Sequence, residues 1–242
     1  MAALTSIIRE QLSVEALIRR SGRFDFLAGQ LPASETASCW KRDNVVTEDL
    51  QVIALGKSGY GKSTTLNQLV GRQVFETSDI EGCTRVMQSA EYRFAHAEAA
   101  HYFSLADLPG LGERPALDRE YIALYQDALE MAHAVLYFLR ADQRDYAIDE
   151  WAFSQLFADV HSRKKVIIVL NAIDKVEPLH RNFPFALSAE QSATIGSKVA
   201  SIARQFKVTQ ASIIPISAQE NIDLDRLIAR LAKVLKPSMQ AA

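Results

Sequence analysis

The chain has 242 residues, of which 48% are hydrophobic and 23% are charged, and its formal net charge is -2. This length suits one domain with an extension or two small domains, and the nearly neutral charge gives no indication of nucleic-acid binding. No apolar run reaches the roughly 18 residues of a membrane span, the first residues do not resemble a signal peptide, and two cysteines without metal-ligand spacing favour a reduced, cytoplasmic setting.

Residues 1–48 are predicted to form a helical N-terminal extension that ends in a linker. Apolar residues fall on one side of a helix over residues 3–20, and Ser21-Gly22 provides a stop signal. Polar residues 32–48 are interpreted as the linker. The helix could pack on the rest of the chain, which we favour, pair with another chain, or lie on a membrane; its mixed charges argue mildly against the membrane.

From Leu50 onward, short apolar strands alternate with amphipathic helices. Six strands are predicted: LQVIALG, VMQSAEYRFA, AHYFSLAD, HAVLYFLR, KVIIVLN and SIIPISA, of which the second and third form a pair. Helices are predicted over residues 62–71, 119–133, 148–161, 188–206 and 222–235, with a long loop over 72–86. The pattern predicts an α/β fold in three layers, with a mostly parallel six-stranded sheet covered on both faces.

The first predicted strand leads into GKSGYGKS, residues 56–63, which fits the phosphate-binding pattern G-x-x-x-x-G-K-[ST]. Glycines let successive backbone N–H groups point at phosphate oxygens, and the following helix adds its positive N-terminal end. Lys62 would reach the β- and γ-phosphates, and the Ser63 hydroxyl would ligate Mg²⁺. The alternative is a glycine-rich turn with an accidental lysine, which the position between a strand and a helix disfavours.

Three further segments follow predicted strands: DLPG at 107–110, NAID at 171–174 and SAQ at 217–219. Ligands of such folds bind at the carboxyl ends of the strands. Asp107 offers a carboxylate for the metal's water shell, and Gly110 offers an N–H group for the γ-phosphate. Asp174 could accept hydrogen bonds from N1–H and the N2 amino group of guanine, a donor pair that adenine lacks. The Ala218 N–H could meet guanine O6.

In this order the motifs resemble the translation-factor-like (TRAFAC) P-loop GTPases, in particular the Era-like branch, over residues 50–235. EGCTRV and NAID look most like a bacterial subgroup, the YfjP-type GTPases, which are related to the immunity-related GTPases. The resemblance implies a G domain over residues 49–237, with GTP as substrate, GDP as product and Mg²⁺ as cofactor. It also implies that Thr84 binds Mg²⁺ and closes over the γ-phosphate.

The resemblance also implies a set of site residues on the five motifs. The metal ligands are Ser63, Thr84 and Asp107, and the catalytic groups are Lys62, Thr84 and Gly110. The nucleotide-binding residues are Lys57, Ser58, Gly59, Tyr60, Gly61, Lys62, Ser63, Thr64, Asp107, Gly110, Asn171, Asp174, Lys175, Ser217 and Ala218.

The sequence departs from the family pattern at three positions. Ala172 stands where a lysine stem usually lies over the guanine, which can weaken nucleotide binding without changing base choice. Leu111 stands where Ras-like enzymes have the glutamine that orients the attacking water, so other groups or a partner must position it. Gly59 stands where potassium-activated members have an asparagine, which argues against a potassium requirement.

We expect a slow GTPase that acts as a conformational switch for an unknown protein effector. The alternative is a nucleotide-bound interaction module with negligible turnover; the complete magnesium set favours the enzyme, whereas Leu111 keeps the module open. A P-loop ATPase is opposed by Asp174 and the SA turn.

Arg85 and Arg114 lie in the two switch segments, and either could stabilise transferred charge in cis or across a dimer. We favour the interpretation that both are solvated loop arginines. Nucleotide-dependent self-association, in which one of them acts across a dimer, is the alternative. The chain ends soon after the last predicted helix, and no C-terminal RNA-binding domain of the Era kind is expected.

Overall fold

The fold is taken from a computed structural model, which describes residues 7–28, 38–42, 45–77, 87–94, 100–112, 115–179 and 185–240. In chain order the strands and α-helices are β1 (Ile7–Ser13), α1 (Val14–Ser21), β2 (Ser38–Arg42), β3 (Val45–Gly56), α2 (Lys62–Val70), β4 (Gln88–Arg93), β5 (Ala100–Asp107), α3 (Pro115–Met131), β6 (Ala134–Arg140), α4 (Ala147–Leu156), β7 (Val166–Asn171), α5 (Ala189–Gln205), β8 (Ile213–Pro215) and α6 (Leu224–Gln240).

The described strands form one mostly parallel sheet of eight strands. Their order is β1-β4-β5-β3-β6-β7-β8, and β2 pairs with β3 outside this path. Only the β4–β5 and β2–β3 pairs are antiparallel. This confirms the α/β fold with a mostly parallel sheet, although the sheet has eight strands rather than the predicted six.

The two additional strands correct the prediction for the N-terminal extension. A helix over residues 3–20 is wrong for residues 7–13, because β1 pairs in parallel with β4 at the edge of the sheet. Helix α1 begins only after Ser13, whose side chain accepts a hydrogen bond from the Ala16 N–H, and it ends at Gly22 with φ 63°. The predicted linker also contains β2 and the first residues of β3. Strand β1 takes its hydrogen bonds from β4, about 80 residues away, whereas β2 pairs with β3, which follows it directly in the chain. Helical periodicity reveals neither partner.

A single hydrophobic core joins the sheet to the helices. Five residues of α6 are buried in it: Leu224, Leu227, Ile228, Leu231 and Leu235. A capping box formed by Ser188 and Gln191 begins α5, where the sequence predicts a helix from residue 188. Within the described ranges, no helix combines the length and the apolar character that a membrane crossing requires.

Candidate functional site

The loop between β3 and α2 has a backbone that its glycines make possible. Gly56, Gly59 and Gly61 have φ values of 137°, 75° and 81°, in the left-handed region that side chains disfavour. A Cβ atom on Gly61 would lie 2.3 Å from Asn171 Nδ2, and one on Gly56 would lie 2.6 Å from the Phe138 carbonyl oxygen. The loop therefore needs glycine at these two positions, for the backbone angle and for close packing.

Lys62 is the first residue of α2, and its side chain is folded back into this loop. The ammonium donates to the carbonyl oxygens of Gly56 and Lys57, each at 3.3 Å, and the residue is only 6% exposed. These distances are at the long end for an N–H···O hydrogen bond. A phosphate oxygen in the loop could replace such weak contacts.

Ser63 and Asp107 lie in direct contact at the carboxyl ends of the central strands. Asp107 ends β5 and is fully buried, and the Ser63 hydroxyl donates a hydrogen bond to its carboxylate Oδ2. A hydroxyl beside a carboxylate is the kind of oxygen donor set that Mg²⁺ prefers, so the two residues fit the predicted metal. The third predicted ligand, Thr84, lies outside the described residues, as do Arg85 and Arg114.

The DLPG segment lies against the phosphate loop through its backbone. The Ser58 N–H donates to the Leu111 carbonyl oxygen at 2.9 Å, and the Leu111 N–H donates to the Gly56 carbonyl oxygen at 3.3 Å. A Cβ atom on Gly110 would lie 2.5 Å from the Ser58 nitrogen and Cα atoms, so this approach requires glycine. The Leu111 side chain is 1% exposed and packs in the core. It cannot orient a water molecule from that position.

Asn171 connects the phosphate loop to the SAQ turn. Its Nδ2 donates to the Tyr60 carbonyl oxygen at 3.0 Å, and its Oδ1 accepts from the Ala218 N–H at 3.1 Å. Asn171 therefore bonds to protein on both sides in this structure. The Ala218 N–H, which the sequence suggests for guanine O6, is engaged by Asn171.

A cleft of about 160 Å³ lies between these loops. Its lining contains Gly59, Tyr60, Gly61, Thr64, Arg140, Asn171, Ala172, Asp174, Lys175, Ala218 and Gln219. The Oδ1 atom of Asp174 is buried and has no hydrogen-bond partner among the described residues. An unsatisfied carboxylate oxygen is costly to bury, so a ligand that donates to it would gain affinity.

Ser217 is buried, and its hydroxyl accepts from the Glu220 N–H at 3.1 Å. It thus closes the SAQ turn next to the cleft rather than lining it. Ala172 adopts a left-handed φ of 62°, unusual for a residue with a side chain, at the start of the short turn that carries Asp174.

The sequence motifs did not identify Arg140. This residue ends strand β6, so it lies at the same carboxyl edge of the sheet as the motif residues. Its Nε and Nη2 atoms donate to the Asp142 carboxylate at 2.9 and 2.8 Å, and Nη1 donates to the Gly59 carbonyl oxygen at 3.3 Å. The hydrogen bond to Asp142 raises the pKa of Arg140. The guanidinium thereby places a fixed positive charge beside the phosphate loop.

The Tyr60 side chain is buried and connects to α4. Its hydroxyl donates to Asp149 Oδ2 of α4 at 3.1 Å, and Tyr60 is 4% exposed. Burial raises the pKa of Asp149 to about 6. The pair links the phosphate loop to α4.

Comparisons with known proteins identify relatives of this site and fold. A family model described as 50S ribosome-binding GTPase matches residues 51–172. Two Escherichia coli K12 proteins, the uncharacterized proteins YkfA and YfjP, are 33% and 34% identical over 75% and 63% of this chain. GTPase Era of Aquifex aeolicus is 28% identical over 76% of this chain. This chain spans 60%, 51% and 56% of the lengths of these three relatives.

Solved structures of GTP-binding proteins also resemble this chain. Aquifex aeolicus Era bound to GDP and aluminium fluoride superposes with a TM-score of 0.57 at 26% identity, over 77% of this chain and 56% of that chain. Arabidopsis thaliana Toc33 in complex with Mg²⁺ and GMPPNP has a TM-score of 0.56 at 18% identity, over 93% and 92% of the two chains. The second likeness concerns the fold alone.

Proposed function

Because the chain belongs to the 50S ribosome-binding GTPase family, in the Era-like branch of the TRAFAC P-loop GTPases, we propose that it hydrolyses GTP slowly and acts as a conformational switch. GTP is the substrate, GDP and phosphate are the products, and the state of the switch loops is read by a protein effector. Residues 49–237 carry this chemistry as the G domain, residues 1–48 are its extension, and the proposed setting is the cytoplasm.

The proposed choice of guanine is supported by Asp174. Asp174 lines the cleft, and its buried Oδ1 lacks a donor within the described residues. Guanine presents N1–H and the N2 amino group together, whereas adenine presents no such pair. Lys175 and Ala218 also line the cleft, and Arg140 adds positive charge near Gly59.

Ser63 and Asp107 are the residues that would hold Mg²⁺, with Thr84 as the third proposed ligand. The metal would neutralise charge that develops between the β- and γ-phosphates. The protein's own contribution is to aim donors at the phosphates: the Lys62 ammonium and the N–H groups of the glycine loop. These donors are held in place before the reaction, which is the main requirement of phosphoryl transfer.

The switch proposal rests on the backbone contact of DLPG with the phosphate loop. Leu111 is bonded to Ser58 and Gly56, next to Gly110, whose N–H is proposed to meet the γ-phosphate. A γ-phosphate on this side of the loop would compete for the same donors and pull the segment that follows Gly110. Hydrolysis would release it, which gives two positions for the switch.

The buried Leu111 side chain also favours the alternative, an interaction module with negligible turnover. If the chain does hydrolyse GTP, the group that orients the attacking water has to come from another residue. Arg85 and Arg114 are the candidates within the chain, acting in cis or across a nucleotide-dependent dimer.

Single-turnover hydrolysis of Mg²⁺·GTP, measured over a range of protein concentrations, tests the proposal. We expect a slow rate above that of GTP in buffer, which is abolished in Lys62→Ala and retained in Lys236→Ala, a change of an exposed lysine on α6. A rate per molecule that rises with concentration and is lost in Arg85→Ala or Arg114→Ala would assign the missing group to a second copy. Tight GTP binding with turnover no faster than buffer would leave only the interaction module.

A further inference from the structure

A second cavity, of about 580 Å³, lies at the opposite end of the sheet from the nucleotide cleft. His133 precedes β6, and residues 162–165 precede β7, so the cavity is at the amino ends of these strands. We call it the basic cavity, and its lining contains His133, Asp159, His161, Ser162, Lys164, Lys165, Arg230, Lys233 and Val234.

The basic cavity concentrates positive charge in a chain whose net charge is -2. Four of its lining residues are lysine or arginine, and Asp159 is its only acid. Asp159 is turned toward the backbone: its Oδ1 accepts from the Ser162 N–H at 2.9 Å, and this bond lowers its pKa. In the part of the chain that the structure describes, no ion pair joins Lys164 or Lys233 to a carboxylate. Four cationic side chains therefore share the lining with one carboxylate, which leaves the cavity with a net positive charge.

Arg230 adds an unsatisfied donor to this wall. Its Nη2 donates to the Ser212 hydroxyl at 3.3 Å, whereas its buried Nε has no hydrogen-bond partner among the described residues. Arg230 and Lys233 are three residues apart on α6 and so share one side of the helix. Buried donors without a partner call for a ligand, an ion or ordered water.

Lys165 has a different part in the same cavity. Its ammonium donates to the carbonyl oxygens of Leu129 and Ala132 at the end of α3, at 2.6 and 3.1 Å. Burial lowers its pKa. Lys165 thus fixes a positive charge behind the cavity, while Lys164, Arg230 and Lys233 carry the donors that a ligand can reach.

We propose that the basic cavity is a second ligand site, which binds a small phosphorylated anion independently of the guanine nucleotide. Arginine and lysine donors match phosphate oxygens. The volume lies within the range of about 300 to 1,000 Å³ that small-molecule sites occupy. A bounded cavity suits a sugar phosphate better than a nucleic-acid backbone, which needs a long basic stripe.

The test is an NMR titration of the full chain, saturated with Mg²⁺ and GDP so that the phosphate loop is filled. Fructose 1,6-bisphosphate and inorganic phosphate are the probes, and backbone amide shifts of residues 159–165 and 230–234 are followed. We expect saturable shifts there with a dissociation constant below about 1 mM for the bisphosphate, and weaker binding as salt increases.

Lys164→Gln combined with Lys233→Gln should weaken bisphosphate binding about ten-fold or more, because two charge-assisted contacts are lost. Lys236→Gln, on the same helix outside the lining, should leave it unchanged. Both changed lysines are exposed, so folding and GDP affinity should be retained. Shifts confined to residues 56–63, equal affinity in the double variant, or binding of a single-stranded RNA but not of the bisphosphate would each overturn the proposal.

Discussion

Replacement of Asn171 should cost both stability and nucleotide affinity, because this side chain ties the two nucleotide-binding loops together. Asn171→Ala removes the donor to the Tyr60 carbonyl oxygen and the acceptor of the Ala218 N–H, which are bonded at 3.0 and 3.1 Å. Both contacts are buried.

The magnitude follows from the two groups that are left without partners. An unsatisfied buried donor or acceptor costs about 1–3 kcal/mol, so the two together should lower the free energy of unfolding by about 2–6 kcal/mol. If about 1.4–2.8 kcal/mol of this free energy is also lost from GDP binding, because the two loops are no longer held in place, GDP affinity should fall by about ten- to a hundred-fold. Asn171→Asp keeps an acceptor for Ala218 but sets a carboxylate oxygen against the Tyr60 carbonyl. Its affinity loss should therefore be at least as large.

The assay pairs urea unfolding of the nucleotide-free protein with equilibrium binding of a fluorescent GDP analogue. Asn67→Ala is the matched control, because Asn67 is an equally buried asparagine that binds the backbone of Val74 and Phe75. Asn67 is not among the residues that line the cleft. It should lower stability by a similar amount and leave GDP affinity within about three-fold.

Asn171 does not join the loops if Asn171→Ala unfolds at the wild-type urea concentration and keeps wild-type GDP affinity. A second contradicting result is an affinity loss in Asn67→Ala as large as that in Asn171→Ala. In that case the loss would reflect general destabilisation, and Asn171 would have no special part in joining the loops.

Three further results are expected. Asp174→Asn should reduce GTP affinity about ten-fold or more and improve binding of xanthosine nucleotides, both measured by competition, because the amide mismatches the guanine donors. Lys62→Ala should weaken GDP and GTP alike, whereas Ser63→Asn should penalise GTP more in the same binding assay, because Mg²⁺ bridges the β- and γ-phosphates. The Asp149 pKa rises from 3.8 to about 6 on folding, so the folded state holds this proton more tightly, and stability should fall as pH rises between these values. Asp149→Asn, which can still accept from Tyr60, should flatten that slope in urea unfolding and raise the midpoint at pH 7.

Most of the fold could be predicted because local patterns specify it. The continuous apolar runs of β6 and β7 can only be buried strands, and α2 ends at Gly71 as its sequence indicates. The family model confirms the resemblance to GTPases over residues 51–172. Residues 7–13 were mispredicted because β1 is specified by its pairing with β4, a partner about 80 residues away, and a helical pattern in isolation fits the same residues.

The site could be predicted in its residue types but not in its contacts. Motif spacing gave the strand ends on which Asp107, Asn171 and Asp174 lie, since parallel strands end at one edge. It could not show that Asn171 hydrogen-bonds to both loops or that the Tyr60 hydroxyl donates to Asp149 on α4, because both contacts depend on packing between distant segments. Arg140 ends a strand as the others do, but an arginine at that position matches no motif, so nothing distinguished it from a solvated charge.

The contacts in the structure also indicate where binding free energy can come from. Most groups that the motifs aim at the nucleotide already have protein partners: Lys62 on loop carbonyls, Ser63 on Asp107, Ser58 on Leu111 and Ala218 on Asn171. At these positions a nucleotide exchanges one hydrogen bond for another, and the net gain is a difference between similar energies. Asp174 Oδ1 is different, because it is buried without a partner in the described chain. A base that donates to it gains a bond and removes a penalty, so discrimination between bases should exceed what one ordinary hydrogen bond provides.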